Sequence, residues 1–208
     1  MNTPEIWKYI HSERGELANT LETLSPDQWA TASWCEGWTV LELTGHLVAA
    51  AEQTTLNFYR ELLAARLSFN RFAETGARKT AAAGSSEMVR RLRARTTTTN
   101  HPPAPVMAML GEIVVHGDDI RRPLALSHNT PQEALIAVAD NWKRTNLLIG
   151  SKRRISGLSL RSTDAAWSHG SGPEVAGPMQ SLVLAMTGRK GSLGDLSGDG
   201  VALLAGRP

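Results

Sequence analysis

Glu112 and His116 stand four residues apart in Gly-Glu-Ile-Val-Val-His-Gly-Asp-Asp, residues 111–119. Around them Met107, Leu110, Ile113, Val114 and Ile120 recur at the spacing of a buried helical face. Positions i and i+4 of a helix project from one side, about 5–6 Å apart between Cβ atoms. A carboxylate and an imidazole are thus aimed at one point beside a core. That pair suits two ligands of a divalent metal such as zinc, which takes His nitrogen and carboxylate oxygen at about 2.0–2.2 Å. A carboxylate on a buried face needs such a partner, although a Glu–His salt bridge would also meet the need.

A catalytic metal requires a third ligand, and the best candidate is His46 in Trp-Thr-Val-Leu-Glu-Leu-Thr-Gly-His-Leu, 38–47. Thr39 and Glu42 form a T-x-x-E capping box that predicts a helix starting at Val40. His46 then falls two turns in, among Leu43, Leu47 and Val48 on a core-facing stripe. Two facing helices would give a His46/Glu112/His116 set with a fourth position open to water or substrate. Taken alone, His46 in an apolar stripe reads more readily as a satisfied core histidine than as a ligand.

The elements that must position these residues are mostly helical. Thr3 as cap and Pro4 at the first helical position open a helix with Ile6, Ile10, Leu17, Leu21 and Leu24 inward. Ser25-Pro-Asp-Gln starts a short turn ending near Trp29, and the Val40 helix is expected to run to about Leu67. Residues 68–85 read as a crossover loop, followed by a helix from about 86 to 98 that His101-Pro-Pro-Ala-Pro stops. The helix bearing Glu112 and His116 should end near Pro123. Thr130-Pro-Gln-Glu is a further capping box, for a helix that Gly150 terminates. Beyond Lys152-Arg-Arg, the patterns 155–160 and 165–169 suggest strands, and Gly177-Pro178 opens a helix through Met186. The expected boundary lies near 150, giving domains 1–150 and 151–208.

The chain has 208 residues, 41% hydrophobic, with a formal net charge of +2. That charge argues no nucleic-acid partner, and Arg90/Arg91/Arg93/Arg95 and Lys152/Arg153/Arg154 lack the interleaved aromatics that stack bases. No apolar run approaches the ~20 residues of a membrane span, so no membrane partner is expected. The first residues lack a secretory pattern and Cys35 is the one cysteine, which fit a cytoplasmic protein. No Gly-x-Ser-x-Gly elbow is present, and Gly170-Ser-Gly-Pro lacks the context of a phosphate loop.

Cys-Glu-Gly-Trp-Thr-Val (35–40) with Gly-His-Leu (45–47), and then Glu-Ile-Val-Val-His-Gly-Asp-Asp-Ile (112–120), resemble the mycothiol-dependent maleylpyruvate isomerase family. Gly-Ser-Gly-Pro-Glu-Val-Ala-Gly-Pro (170–178), Leu-Ala-Met-Thr-Gly-Arg (184–189) and Ser-Gly-Asp-Gly-Val (197–201) resemble its C-terminal domain. The resemblance implies a mainly α protein of actinobacterial type, a DinB-like four-helix bundle with a small C-terminal α/β domain. It implies a metal at His46, Glu112 and His116, zinc foremost and nickel as a purification artefact.

The chemistry so implied is thiol activation, since a metal deprotonates a bound thiol outright. With mycothiol as co-substrate the chain would be an isomerase or S-transferase acting on a small electrophile. Asp119 matches the aspartate of the family's His-Gly-x-Asp pattern, as an acceptor orienting a ligand histidine or as a general base. Pairing with Arg121 or Arg122 is its plainer reading, and Asp118 is left to solvent. Arg189 is the closest match to the family's C-terminal arginine, for an anionic substrate or the cofactor; Arg121 competes for that role. Cys35 reads as a packing residue that nearness to a metal would make reactive. A non-catalytic metal-binding or sensing module is the rival function, and a carrier of apolar ligands a second. Monomer and homodimer both stay open.

Overall fold

The computed structural model describes residues 1–147 and 149–208 and divides the chain into two compact units, Met1–His128 and Asn129–Pro208. The first unit opens with α1 (Thr3–Glu22), whose cap is Asn2 rather than the expected Thr3. Asn2 accepts from the Glu5 amide while the Glu5 carboxylate accepts from the Asn2 amide, closing a capping box one residue earlier. Ser25 caps α2 (Pro26–Ala30) and Thr39 caps α3 (Val40–Glu52), both as the sequence predicts.

The long helix expected from Val40 to Leu67 is two helices. Gln53 is extended, and the Thr54 side chain accepts from the Asn57 amide to start α4 (Thr55–Ala64) afresh. Gln53 is buried and donates from Nε2 to Glu61, so the break is fixed by tertiary partners. The expected crossover loop contains α5 (Phe69–Ala81), capped by Ser68. Its inward residues Ala77, Thr80 and Ala81 are too small to register as an apolar stripe, yet they let the backbone approach α3 closely. A Cβ on Gly45 would lie 2.5 Å from the Ala77 carbonyl oxygen. There α3 and α5 touch through backbone.

Next come α6 (Ser85–Arg93) and α7 (Val106–Arg121), with a 3-10 turn at Arg122–Leu124 beyond. Helices α1 and α3 each pack on both α6 and α7, which closes a four-helix bundle, and α5 covers α3 from outside. Ile10, Leu17 and Leu21 of α1, Leu43 and Val48 of α3, Met88 and Leu92 of α6, and Leu110 and Val114 of α7 are buried in it. Each such side chain contributes about 1.5–3 kcal/mol on removal from water. Nearly every position of α7 from Met109 to Arg121 is buried, so any polar residue it carries must find a partner inside the protein.

The second unit begins with α8 (Gln132–Trp142), with Pro131 rather than the expected Thr130 at its cap. α9 (Ser151–Arg154) follows, then β1 (Ser159–Ser162), β2 (Ser168–Gly170), β3 (Glu174–Gly177), α10 (Met179–Met186) and α11 (Gly200–Ala205). The strands run in the order β2-β1-β3, with β1 antiparallel to β2 and parallel to β3; Leu160 faces His169 and Val175 across the two ladders. Units part at 128/129, whereas the sequence suggested 150, because α8 packs on α10 through a face with Ala134, Leu135 and Val138 buried. The protein is mainly α, with a small mixed sheet.

Candidate metal centre

The capping box at Thr39 sets where the His46 side chain points. Thr39 Oγ1 accepts from the Glu42 amide at 3.2 Å, and Glu42 Oε2 accepts from the Thr39 amide at 2.9 Å. With the start of α3 pinned, His46 falls on the side facing α7 and comes 2.9 Å from Glu112 Oε1 through Nε2. The His46 and His116 rings stand edge to face, 88° apart with centroids at 5.3 Å. One ligand atom from each of His46, Glu112 and His116 lies within 4.8 Å of the others. Three helix positions chosen from the sequence are thus brought together.

Glu112 Oε1 is buried and faces His46 Nε2 at 2.9 Å. A buried carboxylate oxygen is costly unless a cation compensates it. Burial pushes the Glu112 carboxyl up, but His46, His116 and Arg14 outweigh that and hold it below the ordinary value. An anionic oxygen flanked by two imidazoles is a donor set that fits a divalent ion of the zinc type.

Asp119 follows His116 by three residues and is fully buried, its Oδ2 2.9 Å from His116 Nδ1. With Asp119 ionised, the carboxylate can only accept, so a neutral His116 would carry its proton on Nδ1 and offer the Nε2 lone pair. Asp118, expected at the solvent, is instead buried, with Arg122 Nε donating to it at 3.1 Å. Arg121, a candidate for cofactor binding, is 1% exposed and directs Nε toward Thr20 Oγ1 on α1, at 3.4 Å. Burial lowers its pKa, with Glu13, Asp118 and Glu16 opposing. That position gives Arg121 no access to a ligand in solvent, because helix α7 turns it to the α1 side.

Two neighbours of the cluster, Trp38 and Arg14, were not selected from the sequence, and Cys35, read there as a packing residue that a metal would make reactive, lies beside it. Trp38, immediately before the cap, places its ring 5.0 Å from that of His46. Cys35 offers its sulfur within 4.8 Å of ligand atoms of His116 and Asp119. The loop carrying both is tied to the end of α7, where the Trp34 amide donates to the Asp119 carbonyl at 2.9 Å and Arg122 lies over the Trp34 ring. Arg14, buried on α1, donates from Nη1 to the Arg95 and Thr98 carbonyls and lines with Glu112 and Met109 a concavity of about 230 Å³. Burial foremost lowers its pKa to about 10, against the pull of Glu112. Only the adjacency of Trp38 and Cys35 to the capping box offered a signal for these residues.

Arg189 belongs to the second unit. Its amide closes the end of α10 on Leu184, and Nη1 donates to the Thr187 carbonyl at 3.3 Å. It borders a basic depression with Arg154, Lys190 and Arg207.

A four-helix bundle with an inward His/Glu/His cluster defines the class of this protein. Residues 10–102 match the family described as the mycothiol maleylpyruvate isomerase N-terminal domain. This match, over somewhat less than half of the chain, supports the family resemblance carried by the motifs. The match takes in Cys35 and His46 and stops short of Glu112 and His116. Two solved structures resemble the chain over 96% of its length and 93% of theirs. One is the mycothiol-dependent maleylpyruvate isomerase, with a TM-score of 0.63 at 16% identity; the other is a histidine-to-alanine mutant of it, at 0.62 and 14%. At such identity the likeness shows the fold. No curated protein sequence matches significantly.

Proposed function

We propose that the protein is a metal-dependent isomerase or S-transferase that uses a small thiol, mycothiol, against a small electrophile. The observation that carries this reading is the convergence of His46, Glu112 and His116, whose ligand atoms lie within 4.8 Å of one another around the buried Glu112 Oε1. His46, Glu112 and His116 would hold the ion, and its chemistry is to lower the pKa of a thiol from near 8.5 so that the thiolate dominates at neutral pH.

The protein's own groups supply the rest. Asp119 keeps the His116 proton on Nδ1, and Trp38 walls the cluster on the His46 side. Arg189 is the proposed partner of a carboxylate on the substrate or of the cofactor's polar groups, since its planar fork binds carboxylate bidentately. For an activated alkene, addition of a thiolate sulfur, rotation and expulsion of the same thiolate interconvert cis and trans without net redox change. Retention of the sulfur gives transfer instead. A small thiol cofactor would suit a reducing cytoplasm, and the matched family and the structures of the same fold, both mycothiol-dependent by name, support mycothiol.

The experiment is a screen of zinc-loaded protein with mycothiol, bacillithiol and glutathione against activated alkenes, epoxides and alkyl halides. Turnover with mycothiol alone is expected. No turnover with any thiol, in protein that retains its metal, would make this a binding module.

A further inference from the structure

Large apolar side chains at the surface are concentrated in one place. Of the eight strongly exposed ones among the described residues, five lie between 56 and 69: Leu56, Tyr59, Leu63, Leu67 and Phe69, each 54–71% exposed. Leu56, Tyr59 and Leu63 repeat at i, i+3 and i+7 along α4, while Leu62 and the capping Ala65 are buried on the bundle side. This helix is therefore apolar on both faces, which a helix resting on a bundle does not need. In the turn that follows, Arg66 and Leu67 adopt positive φ and carry Leu67 and Phe69 outward.

The charge around this patch has one sign. Arg60, Arg66 and Arg71 are exposed, with no ion pair to any described residue. The one acidic residue between Glu52 and Glu74 is Glu61, which receives the Gln53 amide from the buried side. A second copy seated here about a two-fold axis would set these arginines against one another. An anionic surface would pair with them. The patch is the convex side of a helix, without a groove for a peptide, and combines leucine and aromatic side chains with arginines whose stems can lie along apolar surface.

We propose that α4 and the turn after it form an interfacial patch by which the protein lies on an anionic lipid surface. Apolar side chains would enter the acyl boundary and the arginines meet headgroup phosphates. Among the described residues no helix is long and apolar enough to cross a membrane, so the proposed mode is to lie on it. The expectation of no membrane partner rested on the absence of a span, and that absence stands. This proposal is independent of the metal centre.

The test is co-sedimentation of the full chain with vesicles of phosphatidylcholine alone and of an equal mixture with phosphatidylglycerol. Binding to the mixed vesicles, weakened by salt, is expected. The double variant Leu63→Glu/Leu67→Glu should lose roughly tenfold or more in affinity, about 1.4 kcal/mol, with an unchanged circular dichroism spectrum, since both side chains point to solvent. Arg60→Gln/Arg66→Gln should weaken only the phosphatidylglycerol-dependent part. Four results would each overturn the proposal: no sedimentation with either vesicle, equal binding to both, full binding by the leucine variant, or a dimer in solution that this variant dissociates. Retention on immobilised polyglutamate equal to that on mixed vesicles would assign the face to an acidic protein instead.

Discussion

His116 Nδ1 and Asp119 Oδ2 lie 2.9 Å apart on one turn of α7, with Asp119 fully buried. That pair fixes which imidazole nitrogen is free to bind a cation. Asp119→Asn keeps the shape and removes the charge that holds the proton on Nδ1. It should weaken zinc affinity by roughly 10–100-fold, measured by competition with a chromophoric chelator. Affinity equal to the wild type would mean that Asp119 serves packing alone.

The cluster itself predicts metal content. Purified protein should carry close to one divalent ion per chain, and His46→Ala and His116→Ala should each lose most of it. Glu112→Gln should lose it too, since an amide oxygen carries no charge to replace. Elemental analysis settles the matter, and full metal in both histidine variants would remove the site from consideration.

Close packing at Gly45 gives a third test. Gly45→Ala directs a methyl group at the Ala77 carbonyl oxygen and at Ala81, so α5 must shift. A loss of about 1–3 kcal/mol is expected in urea denaturation. Metal affinity should fall with it, because His46 is the next residue along α3.

Glu42 predicts a pH dependence. Hydrogen bonding from the Thr39 amide foremost, with help from Arg78 and against burial, holds its carboxyl below the ordinary 4.5. A folded-state value below the unfolded one stabilises the protein above the unfolded value and ceases to do so as pH falls through the folded one. Glu42→Ala should therefore cost about 1 kcal/mol at neutral pH, the usual size of a helix cap. The difference from wild type should shrink once the pH drops below the folded value, as followed by chemical denaturation across the acidic range.

Arg189→Ala separates the substrate-binding role from helix capping. If Arg189 holds an anionic substrate, turnover should fall by roughly 10–100-fold with metal content unchanged. Lysine should restore part of it, having charge without the fork. A small drop in melting temperature with intact turnover would leave Arg189 as a cap on the α10 end, where it already reaches the Thr187 carbonyl.

What the sequence determined by itself was what depends on near neighbours. Thr39 with Glu42 and Ser25 with Gln28 announce helix starts, because a capping box closes within four residues. Glu112 and His116 share a face because helical geometry alone puts i beside i+4, and the strands expected at 155–160 and 165–169 overlap β1 and β2 only at their later residues. Tertiary structure decided the rest. Helix α5 was invisible because its inward residues are alanine and threonine, whose value lies in the closeness of Gly45 on another helix. Arg121, read as a candidate for cofactor binding, and Asp118, left to solvent, are both in the interior, the one directed at Thr20 on α1 and the other paired with Arg122. Cys35 joined His116 and Asp119 through a loop that the Trp34 amide ties to the Asp119 carbonyl and Arg122 to the Trp34 ring. Such contacts join residues far apart in the chain, and no local pattern encodes which distant surface a side chain will meet.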